Sequence, residues 1–334
     1  MRPAARNVRA TGAICAVLAL SLSGCLQDGE STNDGQGASS PLAVLASAKN
    51  EEGAKASVVY PTPGPIGEFL ERAFRYRPFL DVGDGGRYLH IPYDELVDIN
   101  KRDEVPVRKV RSYWVRKLPK GAETEGAYSA GGRTLAYRAV GALQGGSKFT
   151  VIYVHGKGGN KDWGFDDERF GGNFNRLKNL VLKSGGAYVS PDFTDFEGDG
   201  FADIKALVAK YRPLTSGRLV VACGSLGNMH CWQIARDPQT ARQVDGLIVL
   251  AGFPDERFLT TAVARGKAGW IPLVIGHGSW DPDYDYKPTL ELYRSIRAKA
   301  PNYPVRYLLF ETGKHGAPVR MIDWRDTLNW IAAN

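Results

Sequence analysis

Apolar residues recur along the chain with two spacings, one typical of strands and one typical of helices. Short apolar runs predict strands at residues 134–139, 149–154, 187–189, 219–223, 247–250, 273–275 and 305–310. Helical spacing predicts helices at residues 173–183, 201–211, 227–236, 290–299 and about 320–333. Several strand runs are apolar throughout, as in strands buried on both faces of a sheet. Strands that alternate with helices predict an α/β domain with a mostly parallel, doubly wound sheet flanked by helices.

The first 24 residues have a different pattern and are predicted to be absent from the mature chain. Three arginines precede an apolar run, residues 12–22, that is too short to span a bilayer, which is typical of a signal peptide. The run ends in Leu22-Ser23-Gly24-Cys25, which resembles the lipobox of bacterial lipoproteins. The resemblance implies that a lipidated Cys25 anchors the protein in the bacterial cell envelope, on the periplasmic side of the outer membrane if the cell is Gram-negative. An ordinary secretion signal that contains a cysteine is the alternative.

Two further segments precede the regular pattern. Residues 25–57 are rich in small and polar residues without periodicity, which predicts a flexible tether. Residues 58–126 are predicted to form an N-terminal extension that packs on the main domain, with helical spacing at residues 66–76. Residues 105–114 carry apolar residues among basic ones, within a longer basic stretch at residues 101–120, which predicts an edge strand with a charged face. Attraction of these basic residues to anionic lipid headgroups is the alternative.

Charge and cysteine content narrow the choice of partners and redox chemistry. The net charge of +7 falls to 7 − 3 = +4 once the three arginines of the signal peptide are removed, which argues against nucleic acid as a partner. Cys223 and Cys231 remain as unmodified cysteines of the mature chain. An envelope location permits a disulfide between them. Their predicted places, at a strand end and inside the next helix, favour two buried thiols instead.

A candidate nucleophile lies where a buried strand turns into a helix. Residues 219–227 read Leu-Val-Val-Ala-Cys-Gly-Ser-Leu-Gly, and a serine in so tight a turn needs small neighbours on both sides. The segment resembles the nucleophile elbow, G-x-S-x-G, of the α/β-hydrolase superfamily. Gly227 matches that pattern, whereas Cys223 stands where the family usually has glycine. The resemblance implies that Ser225 is the nucleophile and that the N–H of Leu226 contributes to an oxyanion hole.

A glycine-rich loop follows an earlier predicted strand. Its residues, His155-Gly156-Lys157-Gly158-Gly159, resemble the H-G-x-G-G oxyanion loop of the same superfamily. The resemblance implies that the backbone of Lys157, or else of Gly156, supplies the second N–H of the oxyanion hole. A phosphate-binding loop is disfavoured because the pattern G-x-x-x-x-G-K-[ST] is absent. Aromatic residues in the segment 160–175 follow this loop and are candidates for lining the substrate pocket.

The acid and the base of a catalytic triad are predicted at two later strand ends. Asp281 follows the strand 273–275 in an H-G-x-x-D pattern, and Asp283, Asp285 and Asp255 are its rivals. His315 follows the last predicted strand, where the superfamily has its general base. The chain order serine, aspartate, histidine also matches the superfamily.

Taken with the predicted elements, the resemblance implies an α/β-hydrolase fold over residues 127–334 and acyl transfer through a Ser-His-Asp triad. It implies a small-molecule or lipid ester as substrate, with no cofactor and no metal. A peptidase or amidase, and an inactive binding or structural lipoprotein on this fold, are the alternatives. Acidic residues at 195–203 resemble the start of a calcium loop, but Ala206 stands where the bidentate glutamate is required. No pattern in the chain predicts its oligomeric state.

Overall fold

This computed structural model describes residues 58–104 and 109–334 of the chain. The main sheet of this part has ten strands. A separate two-stranded sheet, β3 with β4, lies in the N-terminal segment. The strands are β1 (Asp81–Gly83), β2 (Tyr88–Ile91), β3 (Asp103–Glu104), β4 (Lys109–Val110), β5 (Glu123–Ala130), β6 (Arg133–Gly141), β7 (Ser147–Val154), β8 (Ala187–Pro191), β9 (Thr215–Gly224), β10 (Gly246–Leu250), β11 (Leu273–Gly278) and β12 (Val305–Phe310).

The order of strands across the main sheet is β1-β2-β12-β11-β10-β9-β7-β8-β6-β5. The run from β2 through β12, β11, β10, β9 and β7 to β8 is parallel. Only the outer pairs, β1 with β2, β6 with β8 and β5 with β6, are antiparallel. The carboxyl ends of β7, β9, β11 and β12 therefore meet at one edge, where loops from several strands converge.

Helices cover both faces of this sheet. They are α1 (Glu71–Phe74), α2 (Glu95–Arg102), α3 (Arg169–Lys183), α4 (Gly198–Tyr211), α5 (Asn228–Arg236), α6 (Pro238–Ala241), α7 (Arg257–Thr260), α8 (Tyr286–Lys299), α9 (Ala317–Met321) and α10 (Trp324–Ala333). The apolar sides of α4, α5 and α8 contribute to one hydrophobic core, and those of α3, α9 and α10 contribute to the other. Every residue of β10 and β12 is buried, as expected for strands covered on both faces. The predicted α/β-hydrolase architecture, a mostly parallel, doubly wound sheet flanked by helices, is confirmed.

Two predicted helices differ from those observed because side chains form caps and long-range bonds. The single helix predicted at 320–333 is interrupted, since the Asp323 carboxylate accepts hydrogen bonds from the N–H groups of Arg325 and Asp326 and so starts α10 anew. The helix predicted at 66–76 is reduced to the four residues of α1. Before α1, the N–H of Ile66 donates to Oδ1 of Asn329 in α10, a contact that the local spacing does not reveal.

The described residues of the N-terminal extension belong to the same compact unit as residues 127–334. It adds β1 and β2 to the edge of the main sheet, with Tyr88 opposite Tyr307 of β12. The boundary at 126/127 between this extension and the main domain remains a prediction. Within the segment 105–114, where an edge strand was predicted, β4 pairs with β3 in the two-stranded sheet, and residues 105–108 lie outside the described residues. The predicted signal peptide, Cys25 and the tether at 25–57 lie outside the described residues.

Candidate active site

The turn after β9 holds Ser225 in an uncommon backbone conformation. Ser225 has a φ of 52°, in the left-handed region that side chains other than glycine seldom adopt. It begins a 3₁₀ turn, Ser225–Gly227, that leads directly into α5. Such strain costs on the order of 1–3 kcal/mol and persists only where the surroundings enforce it. The turn therefore presents the Ser225 side chain at the carboxyl edge of the sheet.

Two glycines allow the oxyanion loop and the elbow to approach each other. A Cβ on Gly227 would lie 2.5 Å from the carbonyl oxygen of His155, and a Cβ on Gly156 would lie 2.8 Å from the Cβ of Ser225. Both distances are shorter than real contacts permit, so any larger residue at 156 or 227 would push the two loops apart. The match of these glycines to the family pattern thus has a steric cause.

Three side chains from three strand ends form one hydrogen-bonded chain. His315 Nε2 lies 2.8 Å from Ser225 Oγ. On the other side of the ring, His315 Nδ1 lies 2.8 Å from Oδ2 and 3.1 Å from Oδ1 of Asp281. The hydroxyl of Ser225 donates to Nε2, and the Nδ1–H donates to the carboxylate. The residues predicted to act together are therefore brought together with the contacts that their proposed roles require.

Burial, hydrogen bonds and charges shift the pKa values of His315 and Asp281 in opposite directions. Burial favours a lower pKa for His315, but the hydrogen bond and charge of Asp281, together with the charge of Asp283, outweigh it and raise the pKa above the ordinary 6.5. For Asp281, burial favours a higher pKa, yet bonds from His315 and from the N–H groups of Asp283 and Tyr284 lower it below the ordinary value. Asp281 therefore stays ionised beside a histidine whose affinity for a proton is increased.

The rival carboxylates have other contacts. Oδ2 of Asp283 lies 3.6 Å from His315 Nδ1, and its side chain is 62% exposed. Asp285 caps α8 by accepting a hydrogen bond from the N–H of Lys287. Asp255 pairs with Arg236 and Arg257. Only Asp281 combines a buried carboxylate with direct contact to His315 among the four candidates.

The backbone beside Ser225 has the donors expected of an oxyanion hole. The N–H of Lys157 has no hydrogen-bond acceptor among the described residues. The N–H of Leu226 belongs to the first turn of a helical segment, where N–H groups have no partner within the helix. Lys157, Gly156 and Ser225 line the same cavity. Lys157 and Leu226 thus remain the predicted donors of the oxyanion hole, with Lys157 beside Ser225 at the wall of the cavity.

Cys223 and Cys231 form a disulfide, so the preference for two buried thiols is wrong. Their Cα atoms lie 6.2 Å apart, within the range of a disulfide, because α5 packs directly on the end of β9. Both residues are fully buried. The bridge ties the strand that ends at Ser225 to the helix that follows it. Cys223 thus has a structural role at the elbow position where the family usually has glycine.

A cavity of about 230 Å³ opens beside Ser225. Its walls are largely apolar and aromatic, with Tyr153, Trp163, Phe170 and Val319 among the lining residues. Of the aromatic residues predicted as candidates in 160–175, Trp163 and Phe170 line this cavity, whereas Phe165 and Phe174 are buried in the core. Pockets that bind small molecules usually exceed about 300 Å³, so this cavity suits a compact group.

The acidic segment at 195–203 caps a helix. Oδ1 of Asp195 accepts hydrogen bonds from the N–H groups of Glu197 and Gly200 at the start of α4. Ala206 lies within α4, so no side-chain oxygen is available at that position of the calcium pattern. Asp281, Asp283 and His315 have potential metal-ligand atoms within 4.8 Å of one another, but two of the three are the predicted acid and base of the triad. Both ring nitrogens of His315 are already used, one by Asp281 and one by Ser225.

Two residues at the cavity have no distinguishing signal in the sequence. Tyr153 reads as one more apolar residue of a buried strand, and Arg169 reads as a solvated charge at a helix start. Phe170, one of the predicted aromatic candidates, has a φ of 53°, a conformation that no residue pattern predicts for phenylalanine. The nearest signal for Tyr153 and Arg169 was their sequence proximity to the oxyanion loop.

Solved structures resemble this chain at low sequence identity. An esterase from Pyrococcus furiosus is 16% identical, with 65% of this chain and 95% of that chain covered and a TM-score of 0.48. The esterase domain of a Rhodothermus marinus protein is 11% identical, with 63% of this chain and 95% of that chain covered and a TM-score of 0.43. No family model and no curated protein matches this sequence. The likeness concerns the fold, so the function has to be inferred from the site.

Proposed function

We propose that this protein is a serine hydrolase that cleaves carboxylic esters through an acyl-enzyme intermediate. The observation that supports this most strongly is the chain of hydrogen bonds from Asp281 through His315 to Ser225. That chain ends at the wall of an apolar cavity, on a serine whose backbone is held in a strained turn. A nucleophile, a base and a residue that orients the base are the minimum set for this chemistry.

The proposed reaction has two steps. Oγ of Ser225 attacks the ester carbonyl carbon while His315 Nε2 takes the hydroxyl proton, and Asp281 stabilises the imidazolium. The N–H groups of Lys157 and Leu226 stabilise the oxyanion, each by roughly 3–4 kcal/mol. His315 then gives its proton to the departing alkoxide, and the C–O bond to the alcohol breaks. In the second step, water deprotonated by His315 attacks the acyl-enzyme, which releases the acid and restores Ser225.

Ester hydrolysis by wild type and Ser225→Ala tests this function directly. Wild-type protein should hydrolyse p-nitrophenyl butyrate, and Ser225→Ala should lower kcat/KM by at least about 10⁴-fold. Ser216→Ala is the matched control, since it removes a hydroxyl from the same strand, where the side chain bonds to Ser147 O far from the elbow. Equal activity in wild type and Ser225→Ala would exclude the proposed nucleophile. An inactive binding protein is indicated if wild type hydrolyses neither esters nor amides.

We further propose that Cys25 carries the lipid anchor of this enzyme in a bacterial envelope. A buried disulfide, Cys223–Cys231, supports an oxidising compartment such as the periplasm. Among the described residues, no helix has the length and apolar character needed to cross a membrane. Cell fractionation of wild type and Cys25→Ser tests the anchor. Release of the variant from membranes is the expected result, and unchanged retention contradicts lipidation at this residue.

A further inference from the structure

The candidate active-site cavity has an uneven distribution of charge. Two of its lining residues are cations, Lys157 and Arg169, and no carboxylate is among the described residues that line it. Asp281 lies behind His315, where its charge is engaged by the imidazole. A ligand group in the cavity therefore meets aromatic rings and positive charge, which together favour an anionic group of small size.

The wall of the cavity contains a hydroxyl group without a protein partner. Tyr153 is 2% exposed, and its hydroxyl makes no hydrogen bond with any described residue. A Cβ on Gly224 would lie 2.7 Å from this hydroxyl, which places it directly beside the residue that precedes the nucleophile. The hydroxyl is not one of the fully enclosed polar atoms that lack a partner, so it is accessible from the cavity and can donate to a ligand there. Burial of the side chain raises the pKa of Tyr153, so the hydroxyl stays protonated and able to donate.

Arg169 is held beside the same space by an aromatic ring. Its guanidinium lies 4.4 Å from the centroid of the Trp163 ring, and both residues line the cavity. The charge of Arg169 also acts on Tyr153, where it opposes the effect of burial on the pKa. Its one ion pair among the described residues is with Asp166, at 3.6 Å and with both side chains about 40% exposed (39% and 42%), so this carboxylate neutralises it only weakly.

The half of the ester that these groups would contact follows from the covalent intermediate. Tyr153 lies in β7, which leads into the oxyanion loop, and Arg169 begins α3, which follows that loop. Both residues line the cavity beside Ser225. The acyl group stays bonded to Ser225 through the first step, so it is the half that remains beside these residues when the alcohol leaves.

We propose that Tyr153 and Arg169 bind the free carboxylate of a short dicarboxylic acyl group, so that the preferred substrates are monoesters of dicarboxylic acids of about four to five carbons. This specificity rests on the proposed esterase function. The hydroxyl of Tyr153 donates one hydrogen bond to the carboxylate, and the guanidinium of Arg169 supplies the opposite charge. Trp163 and Phe170 enclose the methylene groups between the two carbonyl carbons.

Two umbelliferyl esters of the same shape test the proposal. The hemisuccinate carries the carboxylate, and the 4-methylpentanoate has two methyl groups in place of the two carboxylate oxygens. Wild type should have a kcat/KM for the hemisuccinate roughly 10- to 100-fold above that for the neutral ester, as expected for a charge-assisted hydrogen bond. Arg169→Gln and Tyr153→Phe should each remove most of this preference, measured within each variant as the ratio of kcat/KM for the hemisuccinate to kcat/KM for the neutral ester.

Three controls separate specificity from folding and from the chemistry. Tyr153→Phe should keep the melting temperature, because the hydroxyl has no partner within the described residues. Asp166→Asn should raise the hemisuccinate preference by about twofold, since it removes the competing carboxylate. Arg294→Gln removes a surface cation of α8 that does not line the cavity and should leave the preference unchanged.

The outcomes for specificity and for function are distinct. If wild type hydrolyses the neutral ester as well as the hemisuccinate, and Ser225→Ala hydrolyses neither, the proposed carboxylate site is wrong and the esterase function stands. If the preference exists but survives both Arg169→Gln and Tyr153→Phe, the assignment to these residues is wrong. If Ser225→Ala retains wild-type activity on both esters, the proposed function itself fails.

Discussion

The strands that position the triad and the strands that the N-terminal segment adds to the sheet differ in what holds them. β9, β11 and β12 end in fully buried stretches that pack between two hydrophobic cores. β1 and β2 have three and four residues, and half or fewer of the residues in each are buried. Apolar burial of their carboxyl-terminal stretches fixes the first group, whereas the second group depends on contacts made elsewhere in the N-terminal segment.

Those contacts are largely polar and reach the last helix. Oδ1 of Asp326 accepts hydrogen bonds from the N–H and the hydroxyl of Thr62, and Oδ2 of Asp323 accepts one from Tyr60. Both carboxylates are fully buried, and Arg306 and Arg176 pair with them. Two buried carboxylates therefore hold the N-terminal segment by hydrogen bonds, and each carboxylate is itself paired with a buried arginine.

The residues needed for the proposed reaction are therefore distinct from the residues that hold the N-terminal segment on the sheet. Substitutions in the triad should abolish activity and keep stability, because Ser225 and His315 lie at strand ends rather than inside the cores. Substitutions among the buried charges of α10 should reduce stability and leave the chemistry of the folded protein intact. Three variants test this separation, and a fourth tests the pH dependence of the reaction.

The largest effect is expected from Asp281→Asn. The amide keeps the shape of the side chain but favours the wrong tautomer of His315, so kcat should fall by about 10⁴-fold. Thermal unfolding should be almost unchanged, because the acid lies in a loop. A variant that unfolds as well as losing activity would show that the triad also holds the structure together, against the proposed separation.

Asp326→Ala should have the largest effect on stability. It leaves Arg306 buried without its partner and removes the acceptor for Thr62, which should lower the free energy of unfolding by about 3–5 kcal/mol. Urea unfolding monitored by tryptophan fluorescence measures this change. Glu68→Gln is the matched control, because the pair of Glu68 with Arg325 is exposed and should contribute less than about 1 kcal/mol. Comparable losses in both variants would contradict the role assigned to burial.

The disulfide should contribute stability to the elbow without taking part in the reaction. Replacing both cysteines, Cys223→Ala with Cys231→Ala, should lower the free energy of unfolding by roughly 2–3 kcal/mol. Activity at 25 °C should remain within a few-fold of wild type, since neither sulfur lies in the cavity. A loss of activity in the folded double variant, assayed with the neutral ester, would instead show that the bridge sets the geometry of Ser225.

The smallest effect is expected on the pH profile. His315 acts as a base only when neutral, so activity should be lost as the pH falls through its pKa, which lies above the ordinary 6.5. The charge of Asp283 contributes to that elevation. Asp283→Asn should therefore move the acidic limb of the kcat/KM profile to lower pH by a few tenths of a unit. A shift to higher pH, or none, would contradict the electrostatic role of Asp283.

The sequence was most informative where an apolar run ends in a small or polar residue. Ser225, Asp281 and His315 could be predicted because each follows such a run and because parallel strands end at one edge. β1 and β2 could not be predicted, because they are short, mix polar with apolar residues and have no clear strand-like alternation. Their place depends on pairing with β12, more than 200 residues later in the chain, such as Tyr88 opposite Tyr307.

Details of the site that depend on three-dimensional distance were equally hidden. The pairing of Cys223 with Cys231 follows from how closely α5 approaches β9, which the spacing of eight residues does not reveal. Tyr153 is a candidate binding residue because its hydroxyl lies beside Gly224 without a partner among the described residues, and the sequence does not reveal this position. Long-range packing, rather than local propensity, decides both features.

The most direct test of the central claim is the site of reaction with a fluorophosphonate probe. Wild-type protein should be labelled with one equivalent, and peptide mapping should place the adduct on Ser225. His315→Ala should react far more slowly at the same residue, because the base that activates the hydroxyl is missing. Labelling at another residue, or labelling of Ser225 that does not depend on His315, would contradict a Ser-His-Asp hydrolase.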